Sequence, residues 1–100
     1  MINMDIMNEF EWAKFNIMED TFDALVKVVN GAEYKTYDYR ASMKAFKRLQ
    51  NLKNNYGAIK DFADYLFNIS RYFTIRENAE ILKTISRRLN RFAENYMMLL

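Results

Sequence analysis

The C-terminal quarter of the chain, residues 74–100, reads TIRENAEILKTISRRLNRFAENYMMLL. Its apolar positions recur at alternating spacings of four and three residues, which is the a/d pattern of a helix that packs along one seam. The stretch contains neither Gly nor Pro. It therefore predicts one long helix, the fourth of the chain, whose seam is formed by Asn78, Leu82, Ile85, Leu89, Phe92, Tyr96 and Leu99.

The rest of the chain repeats apolar residues with a helical period in three further segments. The chain has no Pro and only two Gly, whereas sandwiches and barrels need many turns that draw on both residues. The sequence therefore predicts an all-α bundle of about four helices in a single domain over residues 1–100. The first three helices are expected over residues 5–30, 38–52 and 58–73.

Local signals mark where these helices begin and end. Asn30 and Gly31 form a C-cap signal for the first helix, and Asp38 is a candidate N-cap for the second. Thr74 with Glu77 three residues later has the spacing of a capping box, which would start the fourth helix.

The predicted helices differ in length, which bears on assembly. At 1.5 Å per residue the fourth spans about 39 Å, while the second and third span roughly 23 Å each. The ends of the long first and fourth helices would then project with apolar faces uncovered, and such faces usually mark an interface. We expect either a seam that closes within one bundle or a homodimer through Leu82, Ile85, Leu89, Phe92, Tyr96 and Leu99.

Composition excludes several classes of function. The chain has no Cys and no His, so it lacks disulfides, thiolate chemistry and the commonest general base and metal ligand. It has no Gly-rich phosphate loop, and no Ser, Thr or Lys has a visible base partner. No uncharged stretch exceeds six residues, so no membrane span is expected. We expect a cytoplasmic protein that is not an enzyme and that uses no cofactor or metal.

The net charge of +2 hides an uneven distribution. Residues 1–34 hold seven acids against two bases, whereas residues 35–60 hold seven bases against one acid. The basic block is interleaved with tyrosines, and Tyr and Arg are frequent in binding hot spots and can also stack on bases and neutralise phosphates. This Tyr-basic segment comprises Tyr34, Lys35, Tyr37, Tyr39, Arg40, Lys44, Lys47 and Arg48; its plain alternative is a solvated helix face.

Trp12 is a second candidate binding residue. On the wheel of the first helix it points toward the acidic side, with Glu9, Glu19 and Asp23. It would either anchor in a basic pocket of a partner protein or pack on a neighbouring helix.

These features favour a non-enzymatic module that binds a protein. The abundance of Asn, Lys, Ile, Tyr and Met is typical of AT-rich genomes, which suggests a phage or mobile-element inhibitor or modulator of a host protein. The alternative is a small DNA- or RNA-binding regulator that uses the basic face of residues 35–48. A helix-turn-helix over the third and fourth helices is a weaker reading, because the turn lacks its usual Gly.

Overall fold

The computed structural model describes the backbone of residues 2–52 and 55–97, and the side chains of residues 12–52, 55 and 57–96. Within these residues the chain forms four helices and no strand, which confirms the predicted all-α architecture. The helices are α1 (Ile2–Gly31), α2 (Tyr37–Gln50), α3 (Tyr56–Ser70) and α4 (Arg76–Met97).

The helices pack as two hairpins. The closest packing is between α3 and α4, the second pair is α1 with α2, and α1 also lies against α4. Contact between α2 and α3 is sparse. The bundle is therefore open along one side, and the molecule is elongated, with extents of 50 × 21 × 19 Å.

The core lies where the four helices meet, and α3 and α4 contribute most of it. The hydroxyl of Ser86 on α4 donates to the carbonyl of Ala63 on α3 at 2.6 Å, and both residues are buried. Small side chains at such positions let two helix backbones approach closely. The most deeply buried large apolar residues are Leu25, Val28, Ile59, Phe62, Leu66, Leu82 and Leu89.

The fourth-helix seam closes within one chain. Leu82, Ile85, Leu89, Phe92 and Tyr96 are all buried without a second copy, while Leu99 lies outside the described residues. Of the two arrangements expected for this seam, the structure shows the intramolecular one. These five side chains do not form an exposed face for a dimer, and homodimerisation itself stays a prediction.

Three of the expected helix caps are wrong, although the helices end close to where they were expected. Gly31 is the last residue of α1 and has no positive φ, so it is not a left-handed C-cap. The N-cap of α2 is Thr36, whose hydroxyl accepts from the Tyr39 amide at 3.3 Å. The Asp38 side chain instead accepts from the amides of Thr74 and Ile75. The hydroxyl of Thr74 also donates to Asp38, and α4 begins only at Arg76, so Thr74 belongs to the preceding turn and not to a capping box.

Candidate functional site

The open side of the bundle is a groove between α2 and α3. It has a volume of ≈680 Å³ and continues toward the ends of both helices in a second hollow of ≈490 Å³ that shares Lys44 and Lys47 with it. We call the two together the basic groove. Its lining includes Tyr37, Tyr39, Arg40, Ala41, Met43, Lys44, Lys47, Tyr65 and Ile69, and, in the second hollow, Arg48, Asn51, Leu52, Asn55, Ala58 and Asp61.

The positive charge of the groove lies on one lip. Arg40, Lys44, Lys47 and Arg48 are exposed on α2, and none of them forms an ion pair with a described residue. The opposite lip belongs to α3 and carries Asp61. A ligand in this groove would therefore meet cations on one side, an acid on the other and an apolar floor between them.

Tyr65 of α3 is held in the groove by Arg48. The guanidinium carbon of Arg48 lies 4.0 Å from the centre of the Tyr65 ring, which is a cation–π contact across the groove. Burial raises the pKa of Tyr65 above its ordinary value, and the Arg48 charge opposes that change. Burial is also the main cause of the raised pKa of Tyr37, with smaller contributions from Tyr65, Tyr72 and Asp38. Both phenols are therefore neutral hydrogen-bond donors near pH 7.

The three tyrosines of the Tyr-basic segment lie near the N-terminal end of α2, at one end of the groove. The Tyr34 ring packs edge-on against Tyr39 with 5.3 Å between centroids, and Tyr37 contacts Tyr72 of the α3–α4 turn at 6.1 Å. Tyr34 is 72% exposed. The loop that carries it turns at Lys35, which has a φ of 71° and whose carbonyl accepts from Arg40 at 3.0 Å. The structure thus gathers the predicted segment into one surface.

A second surface lies on the first helix and contains Trp12. The Trp12 side chain is 67% exposed, so it does not pack into the bundle. Phe15 is 58% exposed and meets Trp12 edge-on at 6.2 Å, and Phe22 lies two turns farther along. We call Trp12, Phe15 and Phe22 the aromatic row.

The aromatic row borders an apolar hollow and two acids. The hollow, of ≈310 Å³, is lined by Phe15, Met18, Glu19, Phe22, Leu49, Gln50, Leu52 and Ile59. Glu19 and Asp23 are exposed beside the row, and neither forms an ion pair with a described residue. Glu9, which was expected to join them, lies outside the described side chains.

Sequence reasoning missed several members of both surfaces. Phe15 follows Trp12 by three residues and so shares its side of a helix, a spacing that could have revealed it. Tyr65 and Ile69 of the groove lacked such a signal, because they come from a helix whose apolar face was expected to be wholly buried. Phe67 was assigned to that buried face and is 38% exposed.

A further hollow lies between α1 and α4, the helix that a helix-turn-helix would use to recognise DNA. It is lined by Ile17, Thr84, Arg87, Arg88, Arg91, Phe92 and Asn95. Arg88 donates to Asp20 of α1 at 3.1 Å. Since α1 lies along α4 at these arginines, it occupies part of the side that a recognition helix would present to DNA.

The described helices offer no segment long and apolar enough to cross a membrane. Within the described part of the chain, no group of three or more acidic residues is placed to hold a metal ion. No family model, no curated protein and no solved structure matches the chain.

Proposed function

We propose that this chain is a non-enzymatic protein-binding module that contacts its partner through the aromatic row. The supporting observation is the exposure of Trp12 and Phe15, at 67% and 58%, beside a third aromatic side chain. Single exposed apolar residues are ordinary on soluble proteins, whereas contiguous exposed patches mark interaction sites. Trp is also among the residues most enriched in binding hot spots.

The surroundings of the row indicate the chemistry of the partner. The hollow beside Phe15 and Phe22 is apolar on the side formed by Leu49 and Leu52, so it suits an aliphatic or aromatic side chain. The exposed carboxylates of Glu19 and Asp23 would steer basic groups toward the same place. A basic surface that also offers apolar contacts fits both features.

Such a module would act by occluding or remodelling its partner. A chain without Cys is suited to a reducing compartment, and we place this activity in the cytoplasm, as for a phage or mobile-element modulator of a host protein.

Affinity capture with matched aromatic variants tests this proposal. The tagged chain is used to capture proteins, identified by mass spectrometry, from a nuclease-treated lysate of the cells that express it. Trp12→Ala and Phe15→Ala should each weaken capture of a partner about 30-fold, the scale of a 2 kcal/mol hot spot. Their stability should change by no more than about 0.5 kcal/mol, as for surface residues.

Tyr72→Ala is the control, because Tyr72 is 68% exposed and lies outside the row. Equal capture by the wild type, both row variants and the control would refute binding through the row. A large loss of stability in Trp12→Ala would do the same, because Trp12 would then belong to the core.

A nucleic-acid-binding regulator is the second candidate, and the unpaired cations of α2 favour it. If Lys44 and Lys47 contact phosphates, affinity for an oligonucleotide should fall steeply with salt, by about 0.9 log units per contacted phosphate per decade on duplex DNA. Asp61 on the opposite lip opposes this reading, since it would repel the backbone that the cations attract. Capture that disappears on nuclease treatment would favour this candidate over the first.

A further inference from the structure

The basic groove is complementary to one particular kind of helix. Its apolar floor, formed by Ala41, Met43 and Ile69, suits apolar anchors that repeat every three or four residues. Its basic lip on α2 suits carboxylates on one flank of that helix. Because Asp61 lies on the other lip, the second flank of that helix should not be acidic.

The aromatic row of this chain has that character. Trp12 and Phe15 are three residues apart, and Phe22 lies on the same side seven residues farther. Glu19 lies between Phe15 and Phe22 along the helix, Asp23 lies on the Trp12 side of the row, and both supply carboxylates to it. Residues 12–23 span about 17 Å of helix, and the basic lip from Arg40 to Arg48 on α2 runs for roughly 12 Å at the same rise, so the row can cover the whole lip.

The two surfaces adjoin within one molecule. Leu52 lines both the hollow beside the aromatic row and the second hollow of the basic groove. A second copy related by a two-fold axis near this end of α2 would therefore meet both surfaces at once. Each copy would then contribute its row to one contact and its groove to the other, so the dimer would bury the area of two equivalent contacts.

We propose that two copies of this chain associate by placing the aromatic row of each in the basic groove of the other. The inference rests on the proposed function, since it names a second copy as a partner of the aromatic row. It replaces the seam of the fourth helix, which is buried in the monomer, as the surface for self-association.

Sedimentation equilibrium of nuclease-treated full-length protein, from about 10 µM to about 1 mM, tests the proposal with charge-reversal variants. The groove variant carries Lys44→Glu with Lys47→Glu, and the row variant carries Glu19→Lys with Asp23→Lys. Each variant alone should raise the concentration for half-association at least about 10-fold, because like charges then face each other. An equimolar mixture of the two should restore association, since opposite charges face each other in both contacts.

Arg76→Glu with Arg87→Glu is the control, because it makes the same charge change as the groove variant on exposed positions of α4. It should associate as the wild type does. Circular dichroism melting of every variant shows whether it is folded.

Wild-type protein that stays monomeric over the whole range, or association that neither variant weakens, would overturn the proposal. A mixture that fails to regain association would also overturn it. None of these results bears on the proposed function, which is tested separately by the capture and the stability of the Trp12 and Phe15 variants.

Discussion

Replacing Asp38 should disconnect the start of α2 from the α3–α4 turn. Asp38 is only 2% exposed. Its carboxylate accepts from the Thr74 amide at 3.2 Å to each oxygen, from the Thr74 hydroxyl at 3.0 Å and from the Ile75 amide at 3.3 Å. The partners are 36 and 37 residues away in sequence. These bonds join α2 to the α3–α4 turn, and the contact of α2 with α3 is otherwise sparse.

The size of the effect follows from the number and quality of these bonds. Hydrogen bonds to a charged group contribute about 1.5–3 kcal/mol each, and two backbone amides and one hydroxyl donate here. The distances to the amides are at the long end of the usual range, and Thr74 is exposed, so water can replace part of what is lost. We therefore expect Asp38→Ala to lower the free energy of unfolding by about 2–4 kcal/mol, equivalent to roughly 10–25 °C in Tm for a domain of this size.

Urea unfolding followed by far-UV circular dichroism measures this change, with the midpoint shift interpreted at constant slope. Thr74→Val is the graded comparison, because it removes the hydroxyl bond and leaves both amide bonds, and should cost about 1 kcal/mol. An Asp38→Ala protein within about 0.5 kcal/mol of the wild type would refute the assignment. So would a Thr74→Val variant as destabilised as Asp38→Ala, since the amide bonds would then contribute nothing.

Two further predictions concern single side chains. Asn78→Leu should raise the free energy of unfolding by about 1–2 kcal/mol in the same urea assay, because Asn78 is buried and its Nδ2 has no hydrogen-bond partner among the described residues; a destabilised variant would contradict this. Arg48→Gln should raise the pKa of Tyr65 further, because the Arg48 charge now opposes the effect of burial, and absorbance of the phenolate between pH 9 and 12 measures it. The folded state raises the pKa of Tyr37 and of Tyr65, so it holds their protons more tightly than the unfolded chain does. Their contribution to the free energy of unfolding is therefore constant below the ordinary value of 10.0 and should be lost as pH rises through the folded-state pKa.

Periodicity was sufficient to predict the four helices, because each segment must bury one side against the same core. The second helix was expected to end at residue 52 and the third to begin at residue 58, and the structure has α2 end at Gln50 and α3 begin at Tyr56. The helix caps were less predictable. Asp38 has the residue type and position of a local cap, but its hydrogen-bond donors come from the α3–α4 turn, so no local pattern identifies its role.

The candidate surfaces depend on which helices are neighbours, and periodicity does not determine that. The residues of the Tyr-basic segment were identifiable from their types and spacing. The groove exists because α2 packs on α1 and has only sparse contact with α3, so its second wall, with Tyr65 and Ile69, depends on the tertiary arrangement. For the same reason the sequence left the position of Trp12 open, since the angle on a wheel does not say which directions a neighbouring helix covers.

The first helix extends well beyond α2, and its N-terminal part carries exposed aromatic side chains. At 30 residues α1 is about twice the length of α2, so α2 covers only part of it. In the covered part Leu25 and Val28 are buried, whereas Trp12 and Phe15 lie toward the N-terminal end and are exposed. The residues of α1 that pack against the core include Ala13, Ile17 and Met18 as well as Leu25 and Val28. The exposed rings of Trp12 and Phe15 therefore add little to stability, while their exposure carries a risk of nonspecific association. The proposed function therefore predicts that substitutions at Trp12 and Phe15 affect binding strongly and folding weakly.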